Sequence, residues 1–494
     1  MMEEQTSVGS GDDALRVLLD AWCAEAELPG ITVGVRRPDG SVFSYQQGKR
    51  GDEPVLPVTD NTLFGVASVT KSFTTLATVL LDQAGRLSLD DPVSRWIPAL
   101  RLPGGAESEV RIRHLASHTS GLPGLPYIHG ARTPGILADP DHDRLRDRAP
   151  IASDWAWIRT TNDLVAALSR CEYELLGAPG AVFNYSNEGF GLLQAVIEAA
   201  VGMPYIDYLS GAIFAPLGIE RFGFTAADLV AKGDIAQLFA PMREAVEAYS
   251  PSPAWWDVGD IYSNGSLKIS SAALLRVLEA LCGFDESADS GTGMEPGSAE
   301  TGRIGSPFDT RIRELLTEVQ AVLPDGGFYA LGTEVGEASG QKWFGHGGSI
   351  KGVSTNYRCY PETGWVLVCL INASGAPAAG LTDRLANYLL GKEEAGSRDF
   401  ASSDTGGHTV DLDLLQGHYE SGELNEFDVG VDEGVLVVRA NGSPTPLELT
   451  PVESSHVRNA AFVSPAGASF VFECDATDQA VSLFTSKRVH PRTD

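Results

Sequence analysis

The chain has 494 residues, 43% hydrophobic and 21% charged, enough for two or three globular domains. Its 66 acidic and 36 basic residues leave a formal net charge of −30. A surface this acidic repels phosphate backbones and anionic lipid, which argues against nucleic-acid and membrane partners.

Residues 1–13 are acidic and polar and lack the basic start and apolar run of a signal peptide. No stretch reaches eighteen apolar residues, so the expected compartment is the cytoplasm. Leu15, Val17, Leu18 and Trp22 have helical spacing over 14–26. Two β-like runs, 31–35 and 41–45, flank the turn signal Pro38-Asp39-Gly40 and predict a hairpin.

Next comes the stretch 63–81, where Val69, Phe73, Leu76, Ala77, Leu80 and Leu81 recur at spacings of three and four. That is the period of a helix with one buried face. Ser68 falls at its start and Lys71 one turn on, so both side chains project from one side. A hydroxyl and an amine at a buried helix start form a candidate nucleophile and base, because desolvation favours the neutral lysine. A second Ser-x-x-Lys, Ser339-Gly-Gln-Lys342, lies in a Gly-rich run with no apolar helix behind it and is set aside.

Further on, 123–150 is rich in Pro, Gly, Asp and Arg and reads as a long loop. Helical patterns follow at 162–170, 189–201 and 271–281, and 285–307 reads as another loop. The pattern then turns to strands at 328–332, 342–344, 354–360 and 365–371, closed by a helix at 381–390. Residues 391–407 have linker composition. Beyond them, short alternating runs at 435–439, 447–449, 468–473 and 480–484 predict a small antiparallel β domain. The whole predicts an α+β catalytic region with an all-β appendix. Six cysteines (Cys23, Cys171, Cys282, Cys359, Cys369, Cys474) stand far apart, with no Cys-x-x-Cys and no Cys/His cluster. No metal, cofactor or disulfide framework is expected from them.

Two more groups carry chemistry. Tyr185-Ser-Asn187 precedes a helix, and its phenol and amide can face one cleft. Tyr185 could shuttle a proton, and Asn187 could hold the lysine or a substrate carbonyl. The tripeptide recurs at Tyr262-Ser-Asn264, where a turn is the alternative for either copy. His346-Gly347-Gly348-Ser349 opens a β-rich run, and its glycines permit close backbone approach. The Ser349 amide could then join the Ser68 amide as an oxyanion hole.

In this order the three motifs resemble the serine β-lactamase and penicillin-binding-protein superfamily. The flanks Leu-Phe-Gly-Val-Ala-Ser68-Val-Thr-Lys71, Gly-Arg-Leu-Ser-Leu-Asp-Asp-Pro-Val, Ile-Arg-His-Leu-Ala-Ser-His-Thr-Ser-Gly-Leu-Pro and Pro216-Leu-Gly-Ile are similar to its class C branch. The resemblance covers about 15–390 and implies an antiparallel sheet with a helical domain. It also implies an acyl-enzyme on Ser68, with Lys71 and Tyr185 sharing the proton transfers and His346 and Asn187 completing the catalytic set. His-Gly-Gly stands where many β-lactamases carry Lys-Thr-Gly, which argues against an efficient β-lactamase. By the same resemblance Trp255 and Trp256 border the cleft and line the substrate pocket, with core packing as the alternative.

The tail resembles the lipocalin-like β-barrel appended to some D-aminopeptidases and to penicillin-binding-protein-type thioesterases. The expected organisation is a catalytic domain at 1–392, a linker at 393–410 and a lipocalin-like domain at 411–494. The expected activity is hydrolysis or acyl transfer on a small-molecule or peptide ester or amide. The alternatives are a thioesterase or peptide cyclase fed by a carrier-protein-bound peptide, and a non-catalytic binding homologue.

Overall fold

The helix Gly11–Glu25 forms where the spacing predicts it, burying Leu15, Leu19 and Trp22 along one side. That side packs on a sheet whose central strands are covered on both faces. The structure, a computed structural model, describes residues 11–284, 308–391 and 411–494, apart from 147, 226–227, 229–231, 244, 246, 442–444, 453–458 and 466. The loop read at 285–307 and the linker read at 393–410 lie outside the described residues.

Nine antiparallel strands make the main sheet, in the spatial order 56–57, 42–51, 30–36, 365–371, 353–360, 341–350, 334–338, 328–329 and 321–322. First and last parts of this region therefore meet at the centre, where Val33 pairs with Cys369. Alternation sorts the side chains between two cores. Val33, Val35, Leu367, Cys369 and Ile371 face the terminal helices Gly11–Glu25 and Ala378–Leu389. Val366, Val368 and Leu370 face the other way, onto a larger core with Phe73, Leu76, Leu192 and Leu278. Gly34 lets the helix Ser271–Cys282 sit close, since a Cβ there would lie 2.5 Å from Leu275.

One expectation fails here. Residues 123–150 are not one long loop but contain the helix Tyr127–Leu137. Pro134 and two glycines hid its period, yet Tyr127, Ile128, Ala131 and Ile136 are all buried. The strand Glu334–Ala338 and the helix Thr310–Thr317 were also not predicted. Both are short, although Ile312, Leu315 and Leu316 give the helix a buried apolar stripe that sequence reading passed over.

At the C-terminal end eight antiparallel strands run in sequence order from Gly417–Ser421 to Arg488–Pro491. A bridge between Tyr419 and Arg492 brings first and last strands together, so the sheet is a nearly closed barrel. The barrel has its own core, including Tyr419, Phe462, Phe472 and Leu483. A smaller cluster joins it to the rest, with Val471 and Phe484 packing against Phe183, Tyr185 and Tyr329.

Candidate active site

Ser68 sits in a single helical turn, Ala67–Val69, between the short strand Phe64–Gly65 and the helix Thr70–Gln83. Ala67 has a φ of 44°, a left-handed conformation that a non-glycine residue holds only when its surroundings fix it. They do fix it. The Val66 amide donates to Leu267 O at 3.0 Å, and the Thr355 hydroxyl donates to Val66 O at 3.0 Å.

Lys71 is fully buried one turn on. Its ammonium nitrogen lies 3.2 Å from Ser68 Oγ and 2.6 Å from the backbone oxygen of Asn264. Burial pushes its pKa well below the usual lysine value, and the nearby Arg132 and Arg488 guanidiniums push the same way. At neutral pH the amine is therefore poised to accept a proton. The contact with Asn264 gives the second Tyr-Ser-Asn a place in the site. The sequence leaves a turn as the alternative for either copy, and the duplicated tripeptide is the available signal.

Tyr185 closes the other side of Ser68. Lys71 Nζ stands 4.9 Å from the centre of its ring. Burial raises the phenol pKa, while interaction with the Ser68 hydroxyl and the Arg488 charge lowers it, and the net shift is upward. Burial thus favours the neutral form of both groups, the protonated phenol and the free amine. His118 stacks on this ring at 4.1 Å, and its Nδ1 accepts from the Ser186 amide at 3.0 Å. Asn187 begins the helix Asn187–Val201 and lines the same cavity.

The strand Gln341–Ile350 forms the third wall. Phe344 and Gly345 are paired on both edges, but residues 346–350 pair only with 353–357. The edge left open runs past Ser68. A Cβ on Gly348 would lie 2.3 Å from Val66 O and 2.9 Å from the Ser68 amide nitrogen, so only glycine fits. Gly347 and Ser349 line the cavity on either side of it.

His346 is buried on this strand with both ring nitrogens engaged. Nδ1 donates to Gly347 O at 2.5 Å, since a carbonyl only accepts, and Nε2 accepts from the Tyr329 hydroxyl at 3.0 Å. Burial lowers its pKa to about 4, keeping it neutral. This imidazole anchors the strand and is not free to carry protons.

Trp255 and Trp256, expected at the cleft, are not among the described residues that line the Ser68 cavity. Trp255 packs with Ala67, Leu238 and Val353, with the Lys268 ammonium 5.0 Å from its ring centre. Trp256 donates to Asp139 at 2.8 Å, and that carboxylate also pairs with Lys351 at 2.6 Å. Both tryptophans border a separate cavity of about 450 Å³ with Phe224, Tyr262 and Lys268.

The cavity over Ser68, about 590 Å³, has walls that sequence reading did not assign. His129 and Arg132 come from the helix Tyr127–Leu137. Glu423, Asn425, Phe427, Ser486, Lys487, Arg488 and His490 come from the barrel. The barrel is held there by backbone. The Tyr185 amide donates to Lys487 O at 3.0 Å, and the Val489 amide donates to Asn184 Oδ1 at 2.9 Å. Lys487 also pairs with Glu334, and Arg488 with the buried Glu423. Ser486 and Lys487 have φ values of 51° and 65°, the tight hairpin turn that normally takes Asn-Gly. A non-glycine pair in that turn was the sequence signal that went unread.

A serine bonded to a buried lysine, a tyrosine beside both and an open strand edge define the Ser-x-x-Lys class of active site. The chain belongs to the Beta-lactamase family, whose sequence profile matches residues 14–391. It is 35% identical to "Esterase EstB" of Burkholderia gladioli over 217 residues, 43% of this chain and 52% of that protein. The chain thus spans about half the length of that curated relative. The structure is similar to the octameric penicillin-binding protein homologue from Pyrococcus abyssi, with a TM-score of 0.66 and 26% identity. That likeness covers 97% of this chain and 99% of the other. SurE has the same fold, with a TM-score of 0.69 and 21% identity over 98% of this chain and 99% of that one.

Proposed function

We propose that the protein is an acyl hydrolase that acts through an acyl-enzyme on Ser68, on an ester, amide or peptide donor. One observation carries the reading: a fully buried lysine, its pKa well depressed, 3.2 Å from the serine oxygen. Lys71 takes the Ser68 proton as Oγ attacks the carbonyl carbon. The amides of Ser68 and Ser349, on the turn and the open strand edge, receive the oxyanion. Tyr185, protonated at neutral pH, passes its proton to the departing alcohol or amine and is reprotonated from Lys71. Water then releases the acid by the same steps in reverse. The similarity to a protein named an esterase supports ester donors.

The test is p-nitrophenyl butyrate turnover with intact-mass analysis. A mass increase of one butyryl group should appear in the wild type and vanish in Ser68→Ala. A Ser68→Ala protein that hydrolyses the ester near the wild-type rate would end the proposal.

Acyl transfer to an internal amine is the second reading. It is favoured by the barrel residues in the cavity wall, which give a peptide donor a surface to fold against beside Ser68. A peptidyl thioester substrate separates the two, giving linear acid by hydrolysis and a cyclic peptide by transfer.

A further inference from the structure

The cavity over Ser68 carries a charge opposite to that of the molecule. Its walls hold three permanent cations, Arg132, Lys487 and Arg488, and one carboxylate, Glu423, in a chain of 66 acids and 36 bases. Its histidines do not add to this. Burial lowers His129 to about 3 and both His346 and His490 to about 4, so all three are neutral at pH 7.

Two of the three cations already have partners, Lys487 in Glu334 and Arg488 in Glu423. Arg132 has none. Among the described residues no carboxylate lies within ion-pair distance of it, and its Nε is buried without a hydrogen-bond partner. Glu188 is the nearby carboxyl that could have served. It spends one oxygen on the Ile128 amide at 3.2 Å, and its pKa is raised to about 8 by burial and then by Glu423. That shift favours its uncharged form, and the other nearby carboxylate, Glu423, is taken up by Arg488.

A half-buried guanidinium with no carboxylate at ion-pair distance is costly to keep, and its planar fork matches a carboxylate in two parallel hydrogen bonds. An arriving anion would relieve that penalty. The third-motif strand, with His346-Gly-Gly, offers no cation of its own. We infer that the substrate carries a carboxylate and that Arg132, on the helix Tyr127–Leu137, is the side chain that binds it. The inference rests on the reading of Ser68 as acyl acceptor.

Matched ester pairs test it. For a carboxylate on the acyl side, mono-p-nitrophenyl adipate is compared with p-nitrophenyl hexanoate. For one on the leaving-group side, 4-carboxyphenyl butyrate is compared with its methyl ester, each corrected for its spontaneous rate. In at least one pair kcat/KM should favour the anion by about ten-fold or more, the usual worth of a charge-assisted pair. Arg132→Gln should bring that ratio close to one, and Arg132→Lys should keep part of it. Binding of the same pairs to Ser68→Ala, read as Kd, needs no turnover. A preserved anion preference in Kd with no Ser68-dependent hydrolysis would sink the acyl-enzyme reading alone. Equal Kd values, or wild-type ratios near one in both pairs, would overturn the inference whether or not the variants fold.

Discussion

The two walls of the cavity are built on different principles. One is regular: Ser68 and Lys71 lie on consecutive helical turns, and Gly347–Ser349 lie on a strand. The other is assembled from a strained two-residue hairpin and the start of a barrel strand, joined to the first wall by hydrogen bonds from Tyr185 and Val489. The regular wall places reacting atoms within a few tenths of an ångström, as bond-making requires. The barrel wall places charges, which act at longer range and tolerate looser placement.

Changes along this contrast should differ in size. Ser68→Ala should lower kcat for an activated ester by about 10⁴-fold or more, measured by burst and steady-state kinetics. Gly348→Val drives a side chain into Val66 O and the Ser68 amide, and should cost about 10² to 10³ in kcat with the fold retained by circular dichroism. On the barrel wall, Arg488→Gln strands the buried Glu423 carboxylate and should cost about 3 kcal/mol in urea unfolding. The double change with Glu423→Gln should recover much of that.

Acid tests both walls at once. His346 on the strand and His490 on the barrel stay neutral in the folded chain down to about 4, while in the unfolded chain each takes up a proton near 6.5. Below pH 6.5 the unfolded state therefore binds more protons, and stability falls with pH until about 4 is passed. The slope should be about 1.4 kcal/mol per pH unit for each histidine, and His346→Asn should reduce it in a pH series of urea midpoints. Away from both walls, Arg311→Ala removes only an exposed pair with Glu314 and should change stability by about 0.3 kcal/mol or less.

The same contrast governs what sequence reading could reach. Ser68 and Lys71 are three residues apart on a periodic helix, so their alliance is a local fact. The hairpin of 30–36 and 42–51 was readable for the same reason. Arg132 and Arg488 are 356 positions apart in numbering and meet only because the barrel docks on Phe183 and Tyr185. No short-range pattern encodes that docking. Trp255 and Trp256 illustrate the converse: resemblance to relatives placed them at the cleft, but Trp255 packs with Ala67, Leu238 and Val353, and Trp256 bonds the Asp139 carboxylate. His346 was legible as a position, but its bond to the Tyr329 hydroxyl, which helps hold the strand, was not.

The backbone bond from Tyr185 to Lys487 has a consequence during synthesis. A chain emerging from the ribosome makes its serine and lysine hundreds of residues before the hairpin that steadies the phenol. The Ser68–Lys71 pair is thus made early, while the bond that steadies Tyr185 from the barrel side forms only once the last strands are in place.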